Sequence, residues 1–245
     1  MNIRRLRLLL AAVFVLALNL SLQAEVRLAA PFSDNMVLQQ KALVPVWGWA
    51  DDGEVVTIRF RGQKVTATTK DLKWCAVLRP LKAGGPDTLT VSTKSQTIQL
   101  ANVLVGEVWV CSGQSNMEFP LKNSFQAEGD LASATNAQIR LFKVPKNRQE
   151  SPTVVIKSAW ELLSPTSAEY FSAVGYYFGR DLQRARKVPV GLIGTYWGGT
   201  PAESWISRPA LEHNARYQAE LLDACAAATK SWREKRPVKI SEITA

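Results

Sequence analysis

The hydrophobic rhythm of this chain changes once, near Val103, and that change constrains the fold more than any other feature. From Glu25 to about Asn102 the chain reads as short strands: Val44–Trp49, Val55–Phe60, Lys64–Thr68, Trp74–Leu78 and Thr88–Ser92. Turn signals separate them at Asp51-Asp52-Gly53, Arg61-Gly62 and Ala83-Gly84-Gly85-Pro86-Asp87. In Val55–Phe60, Val56, Ile58 and Phe60 share one face while Thr57 and Arg59 share the other. A period of two is what an antiparallel sheet covered on one side requires, so this region predicts a small β-sandwich.

Beyond Val103 strands alternate with helices. Leu104–Cys111, Ile139–Val144 and Val188–Thr195 read as strands. A helix over residues 167–186 is expected between the last two, opened by Thr166 with Glu169 as a capping box. It carries Phe171, Val174, Phe178 and Leu182 at helical spacing. That order predicts a parallel sheet with helices on its faces. A last helix is expected over residues 211–236. The fold class is therefore α/β, a parallel sheet with helices preceded by an antiparallel β-sandwich. The divisions are 1–24, 25–103 and 104–245.

Residues 1–24 read as a secretory signal. Arg4, Arg5 and Arg7 precede the apolar run Leu8–Leu18, and Ser21-Leu22-Gln23-Ala24 approximates a small-residue cleavage site. The run is shorter than the roughly 20 apolar residues a membrane span needs. Export to the periplasm or the extracellular space is expected, with no span after cleavage. Removing the signal takes three of 30 basic residues and none of 21 acidic ones, which leaves a net charge of +6. Much of the excess lies in Lys230, Arg233, Lys235, Arg236 and Lys239. No nucleic-acid module accompanies this run, so a solvated face is expected and no nucleic-acid partner. Cys75, Cys111 and Cys225 allow at most one internal disulfide, and His213 as the single histidine argues against a metal site. Cys111, ending an apolar strand, is expected to be a buried thiol.

Sites in open α/β sheets form beyond the carboxyl ends of the strands. Two motifs fall there: Ser112-Gly113-Gln114-Ser115-Asn116-Met117 and Tyr196-Trp197-Gly198-Gly199-Thr200-Pro201. Ser115 reads either as a nucleophile, which needs a base and oxyanion donors, or as a helix cap, which needs neither. It lacks the second glycine of a G-x-S-x-G elbow. Gly198 and Gly199 could turn amides toward an oxyanion, or simply make a tight turn. Neither glycine cluster continues as Gly-Lys-Ser/Thr, which disfavours a phosphate loop. Trp47, Trp49, Trp74 and Trp109 could line a sugar platform, although aromatics in strands more often fill cores. Glu118 and Glu203 flank the motifs and read as helix N-terminal carboxylates.

Several blocks together carry a resemblance. Residues 105–118 (Val-Gly-Glu-Val-Trp-Val-Cys-Ser-Gly-Gln-Ser-Asn-Met-Glu) resemble the nucleophile block of the sialate O-acetylesterase family, a branch of the SGNH hydrolases with a flavodoxin-like sheet. Residues 171–180 and 190–205 resemble later blocks of that family in the same order, and residues 31–40 resemble its β-domain entrance. The resemblance implies hydrolysis of acetyl esters on sugars or glycans without metal or organic cofactor, Ser115 being the nucleophile. The amide of Ser115 and one from Gly198 or Gly199 would hold the oxyanion. The family pattern continues with a Trp-x-Gln-Gly-Glu block and ends with the Asp-x-x-His block that supplies the base, and neither occurs here. His213 is preceded three residues earlier by Ala210 and reads as a local helix histidine. The chain thus reads as the amino-terminal portion of an esterase, inactive alone. The alternative is a non-catalytic carbohydrate-binding protein on the same scaffold.

Overall fold

The computed structural model describes residues 25–149 and 153–235. The signal expected over residues 1–24 lies outside them, as do Arg236 and Lys239 of the basic run. The chain divides into two compact units between Trp197 and Gly198.

The first unit begins with the expected antiparallel strands. β1 (Arg27–Leu28), β3 (Val44–Trp49) and β6 (Lys73–Leu78) form a three-stranded sheet in the order β1-β3-β6. β4 (Val55–Phe60), β5 (Gln63–Thr68) and β7 (Gly84–Ser92) belong to a larger sheet. Val56, Ile58 and Phe60 are buried as their alternation predicts, and Trp74, Ala76 and Leu78 of β6 join them in one core. Val56, Ile58, Phe60 and Leu78 each contribute roughly 1.5–3 kcal/mol by their burial. Trp74 is therefore a core residue, while Trp47 and Trp49 pack edge to face at 5.6 Å.

β8 (Thr97–Cys111) runs without interruption through the place where the sequence rhythm changes. Its first half pairs antiparallel with β7, and its second half pairs parallel with β11 (Val190–Gly194). β11 also pairs parallel with β9 (Asn136–Lys143), to which β10 (Trp160–Leu163) adds in antiparallel fashion. The full order is β10-β9-β11-β8-β7-β4-β5, with β2 (Val37–Gln39) pairing parallel to β8. The fold is thus mixed α/β, a parallel-containing sheet with helices and a small antiparallel sheet. β2 and β10 carry no periodic signal of their own because each is too short to show one.

The long helix expected over residues 167–186 is two helices. α3 (Pro165–Glu169) follows α1 (Ser115–Glu118) and α2 (Ala127–Ala132), and α4 (Ala173–Arg186) starts afresh after it. The capping box uses Ser164 and Ser167, not Thr166 and Glu169. Ser172 restarts the chain by accepting a bond from the Gly175 amide, so Phe171 stays outside the helix, buried. The buried face of α4 is Ala173, Gly175, Tyr176 and Gly179, while Val174 and Phe178 are exposed. Small residues win this face because the helix lies very close to the sheet. A methyl on Gly179 would come 2.6 Å from Leu192 Cδ1, and one on Gly175 would come 3.0 Å from Cys111 Sγ. Phe178 instead packs edge to face on Trp109 at 5.1 Å.

The second unit is helical. α5 (Arg208–Glu212) ends at His213, and Asn214 caps a new turn by accepting from the amides of Arg216 and Tyr217. A π-helical segment (Gln218–Asp223) leads into α6 (Ala224–Lys235). The single helix expected from residue 211 is therefore interrupted, since Asn214 offers the backbone an alternative acceptor. No helix among the described residues is long and apolar enough to cross a membrane.

Candidate active site

β8 and β11 end in register, Cys111 opposite Gly194, so their outgoing loops leave the same rim of the sheet. Two bonds lace these loops together: the Thr195 amide donates to Cys111 O at 2.9 Å and the Trp197 amide to Gly113 O at 2.9 Å. The loop leaving β9 joins them, since the Val144 amide donates to Gly194 O at 2.9 Å. Three parallel strands therefore deliver their exits to one place, as the open-sheet rule anticipates.

Gly113 has φ +140°, a conformation that side chains disfavour, and it turns the chain from strand into α1. Ser115 is the first residue of that helix and is exposed. Gln114 holds the cap position and its side chain makes no capping bond, so the Ser115 hydroxyl is not the cap. The amides of a first helical turn have no acceptor within the helix, which leaves the Ser115 N–H among those available to a ligand.

Neighbouring elements hold α1 at the rim. The Ala173 amide donates to Phe119 O at 2.8 Å, the Leu121 amide to Phe171 O at 2.9 Å, and Ser172 Oγ lies 3.4 Å from Met117 Sδ. Glu118 forms an ion pair with Lys146. Ser172 is wholly buried and was signalled only as a serine ahead of a helical run. Lys146 and Arg148 come from the exit of β9, and nothing in their local sequence marks them. Both cations lie over the Trp197 ring, at 5.7 and 5.8 Å from its centre.

Burial removes two nearby groups from acid–base work at neutral pH. It pushes the Cys111 thiol up from 9.0 to about 11, so the thiol stays protonated, as expected of a buried cysteine. The Tyr196 phenol rises from 10.0 to about 12, chiefly through burial, and its oxygen accepts from the Ser172 amide at 3.2 Å. Cys75 and Cys225 are exposed free thiols. A thiol reagent at pH 8 is expected to modify Cys75 and Cys225 in the native protein and Cys111 only after unfolding. Three equally fast thiols would contradict this arrangement.

Gly198 and Gly199 fall at the start of the second unit, where Gly199 adopts φ +76° and therefore suits glycine. Near them Trp205 Nε1 donates to Thr200 Oγ1 at 2.9 Å. His213 is exposed, and its Nδ1 lies 2.6 Å from Pro209 O, a bond that only an N–H at that nitrogen can make. It is the local helix histidine that its sequence setting suggests. Among the described residues no group of three or more His, Cys, Asp or Glu is placed to hold a metal ion.

No protein-family model matches the chain. The sialate O-acetylesterase of Pongo abelii is 34% identical over an alignment covering 76% of this chain and 40% of that protein. The human sialate O-acetylesterase is 35% identical with the same coverage. A crystal structure of a carbohydrate acetylesterase from Xanthomonas citri superposes with a TM-score of 0.75 at 34% identity, covering 80% of this chain and 46% of the other. Over the part it covers, the chain matches the sialate O-acetylesterase family. It spans about two fifths of the length of the curated relatives it matches, a coverage that fits the amino-terminal portion of the family pattern. Within that family match, the strand-to-helix turn bearing Ser115 and the rim it shares with residues 195–197 are the features that could carry chemistry.

Proposed function

We propose that this chain forms part of an exported carbohydrate acetylesterase of the sialate O-acetylesterase type, with Ser115 as the nucleophile. The observation that carries the reading is an exposed, non-capping serine at the rim where three parallel strands end. Ser115 Oγ attacks the acetyl carbonyl while its proton passes to a base. The sugar oxygen leaves with a proton as the acetyl-enzyme forms, and water then attacks that ester to release acetate and restore the serine. The Ser115 amide stabilises each oxyanion, at roughly 3 kcal/mol for such a donor. The proposed organisation is a signal at 1–24, a β-sandwich domain at 25–103 and the esterase domain from 104 onward.

A base contributes about 10²–10⁴-fold to such a step, and the Asp-x-x-His block that supplies it in the family pattern does not occur in this sequence, so the chain by itself is proposed to be a poor catalyst. Imidazole supplied as an external base exposes the serine's contribution. Under that condition Ser115→Ala is expected to lower acetate release from an O-acetylated sugar by at least about 100-fold. Turnover by the variant at the wild-type rate would overturn the assignment. The absence of that block from this sequence equally favours a second reading, a sugar-binding protein without turnover. Saturable sugar binding with no Ser115-dependent acetate release would establish that one.

A further inference from the structure

A groove of about 360 Å³ lies between β1 and residues 154–158, the segment that leads into β10. β1 is an edge strand of the three-stranded sheet, with β3 as its neighbour. The Ala29 amide donates to Trp47 O at 3.2 Å, so the alternation of an antiparallel ladder turns the N–H and C=O of Leu28 away from β3. One wall of the groove is therefore an open strand edge. On the other wall Val154, Ile156 and Lys157 make no backbone hydrogen bond among the described residues. That wall is anchored beyond the groove, where Ser158 Oγ donates to Lys143 O at 2.6 Å and the Trp160 amide to Ser33 Oγ at 3.3 Å. Phe32 and Trp49 supply aromatic lining. Arg27 and Lys157 are the charged residues that line the groove, and neither forms an ion pair among the described residues.

We propose that the open edge of β1 is a docking site for an extended acidic segment of another protein, which joins the three-stranded sheet as a fourth strand. The inference is independent of the esterase reading. Unpaired N–H and C=O groups on a strand edge template a further strand, and a polypeptide supplies matching groups at a repeat of about 3.3 Å per residue. A glycan would need neither backbone wall, and the Arg27 guanidinium already lies over the Trp49 ring, 5.9 Å from its centre. Arg27 and Trp49 stand opposite each other across the ladder and so share a sheet face. A docked residue opposite Arg27 sends its side chain to that same face. A carboxylate there makes a charge-assisted bond with the guanidinium, whereas a basic side chain is repelled. Two positions along, an apolar side chain returns to the face that holds the indole.

The test selects a random heptapeptide library, displayed on phage, against the immobilised full chain. Enriched peptides are then resynthesised and titrated by calorimetry. They are expected to carry Asp or Glu two positions from an apolar residue. Affinity is expected to fall about 10-fold in Arg27→Gln, the strength of one charge-assisted bond, and less at high salt. A similar or larger loss is expected in Leu28→Pro, which removes the edge N–H that the native ladder leaves unused. Peptides methylated on alternate backbone nitrogens probe the same pairing with the protein unaltered, so the proposal stays testable if Leu28→Pro does not fold. Arg186→Gln, at the far end of α4, controls for net charge and is expected to bind like wild type. No enrichment, equal binding by Arg27→Gln, or insensitivity to backbone methylation would each overturn the proposal. Self-association in sedimentation that Arg27→Gln or Leu28→Pro abolishes would overturn it too, by assigning the edge to a second copy of the chain.

Discussion

Gly106→Ala is expected to cost at least about 3 kcal/mol of stability, enough to leave much of a marginally stable protein unfolded. A methyl group there falls within the van der Waals envelope of Pro189 O and 2.6 Å from Pro189 C. These are backbone atoms, so no rotamer change relieves the overlap. Pro189 O also accepts the Glu107 amide at 2.9 Å, the bond that opens the parallel pairing of β8 with β11. Moving the carbonyl away would pull Val190 out of register with Glu107. On the other side the Gln40 amide donates to Gly106 O at 2.8 Å, which restricts retreat of β8. Urea unfolding followed by far-UV circular dichroism measures the loss. A midpoint equal to that of wild type would show that the strand junction yields more easily than this geometry allows.

Alkaline destabilisation is the second large effect expected. Cys111 and Tyr196 both have folded-state pKa values raised by burial, from 9.0 to about 11 and from 10.0 to about 12. A group with a raised folded pKa binds its proton more tightly in the native state. Its stabilising contribution is therefore complete below the unfolded value and is lost as pH climbs through the folded one. The loss falls between about pH 9 and 11 for the thiol and between about 10 and 12 for the phenol. Each is on the order of 2–3 kcal/mol when complete. Comparing wild type with Cys111→Ala from pH 8 to 11 isolates the thiol from lysine titration in the same range. Parallel curves for the two proteins would mean that the thiol is reached by solvent in the native state.

The same residues show where local sequence is enough and where it is not. β4 and β6 were legible because a strand covered on one side must alternate, and Val56, Ile58 and Phe60 meet that condition within six residues. The position of Ser115 was legible too, since an apolar run ending in Cys111-Ser112-Gly113 must turn where the sheet stops. The apolar stripe of the long helix misled. Val174 and Phe178 have helical spacing, yet the face that meets the sheet is Ala173, Gly175, Tyr176 and Gly179. Hydrophobicity predicts burial only when the approach distance is known, and the contacts of Gly175 and Gly179 set that distance.

By itself, then, the sequence determined most of the strands, the two glycine-bearing turns and the resemblance to a known family, because each depends on patterns within a few residues or on short blocks that follow one another in the same order. Tertiary structure alone decided that the exits of β8, β9 and β11 share one rim, that Ser115 sits inside its helix and not at the cap, and that Lys146 and Arg148 come to lie over Trp197. Those facts depend on strand register and on residues about fifty positions apart, and register follows from the packing of the whole sheet, which no short stretch of chain encodes.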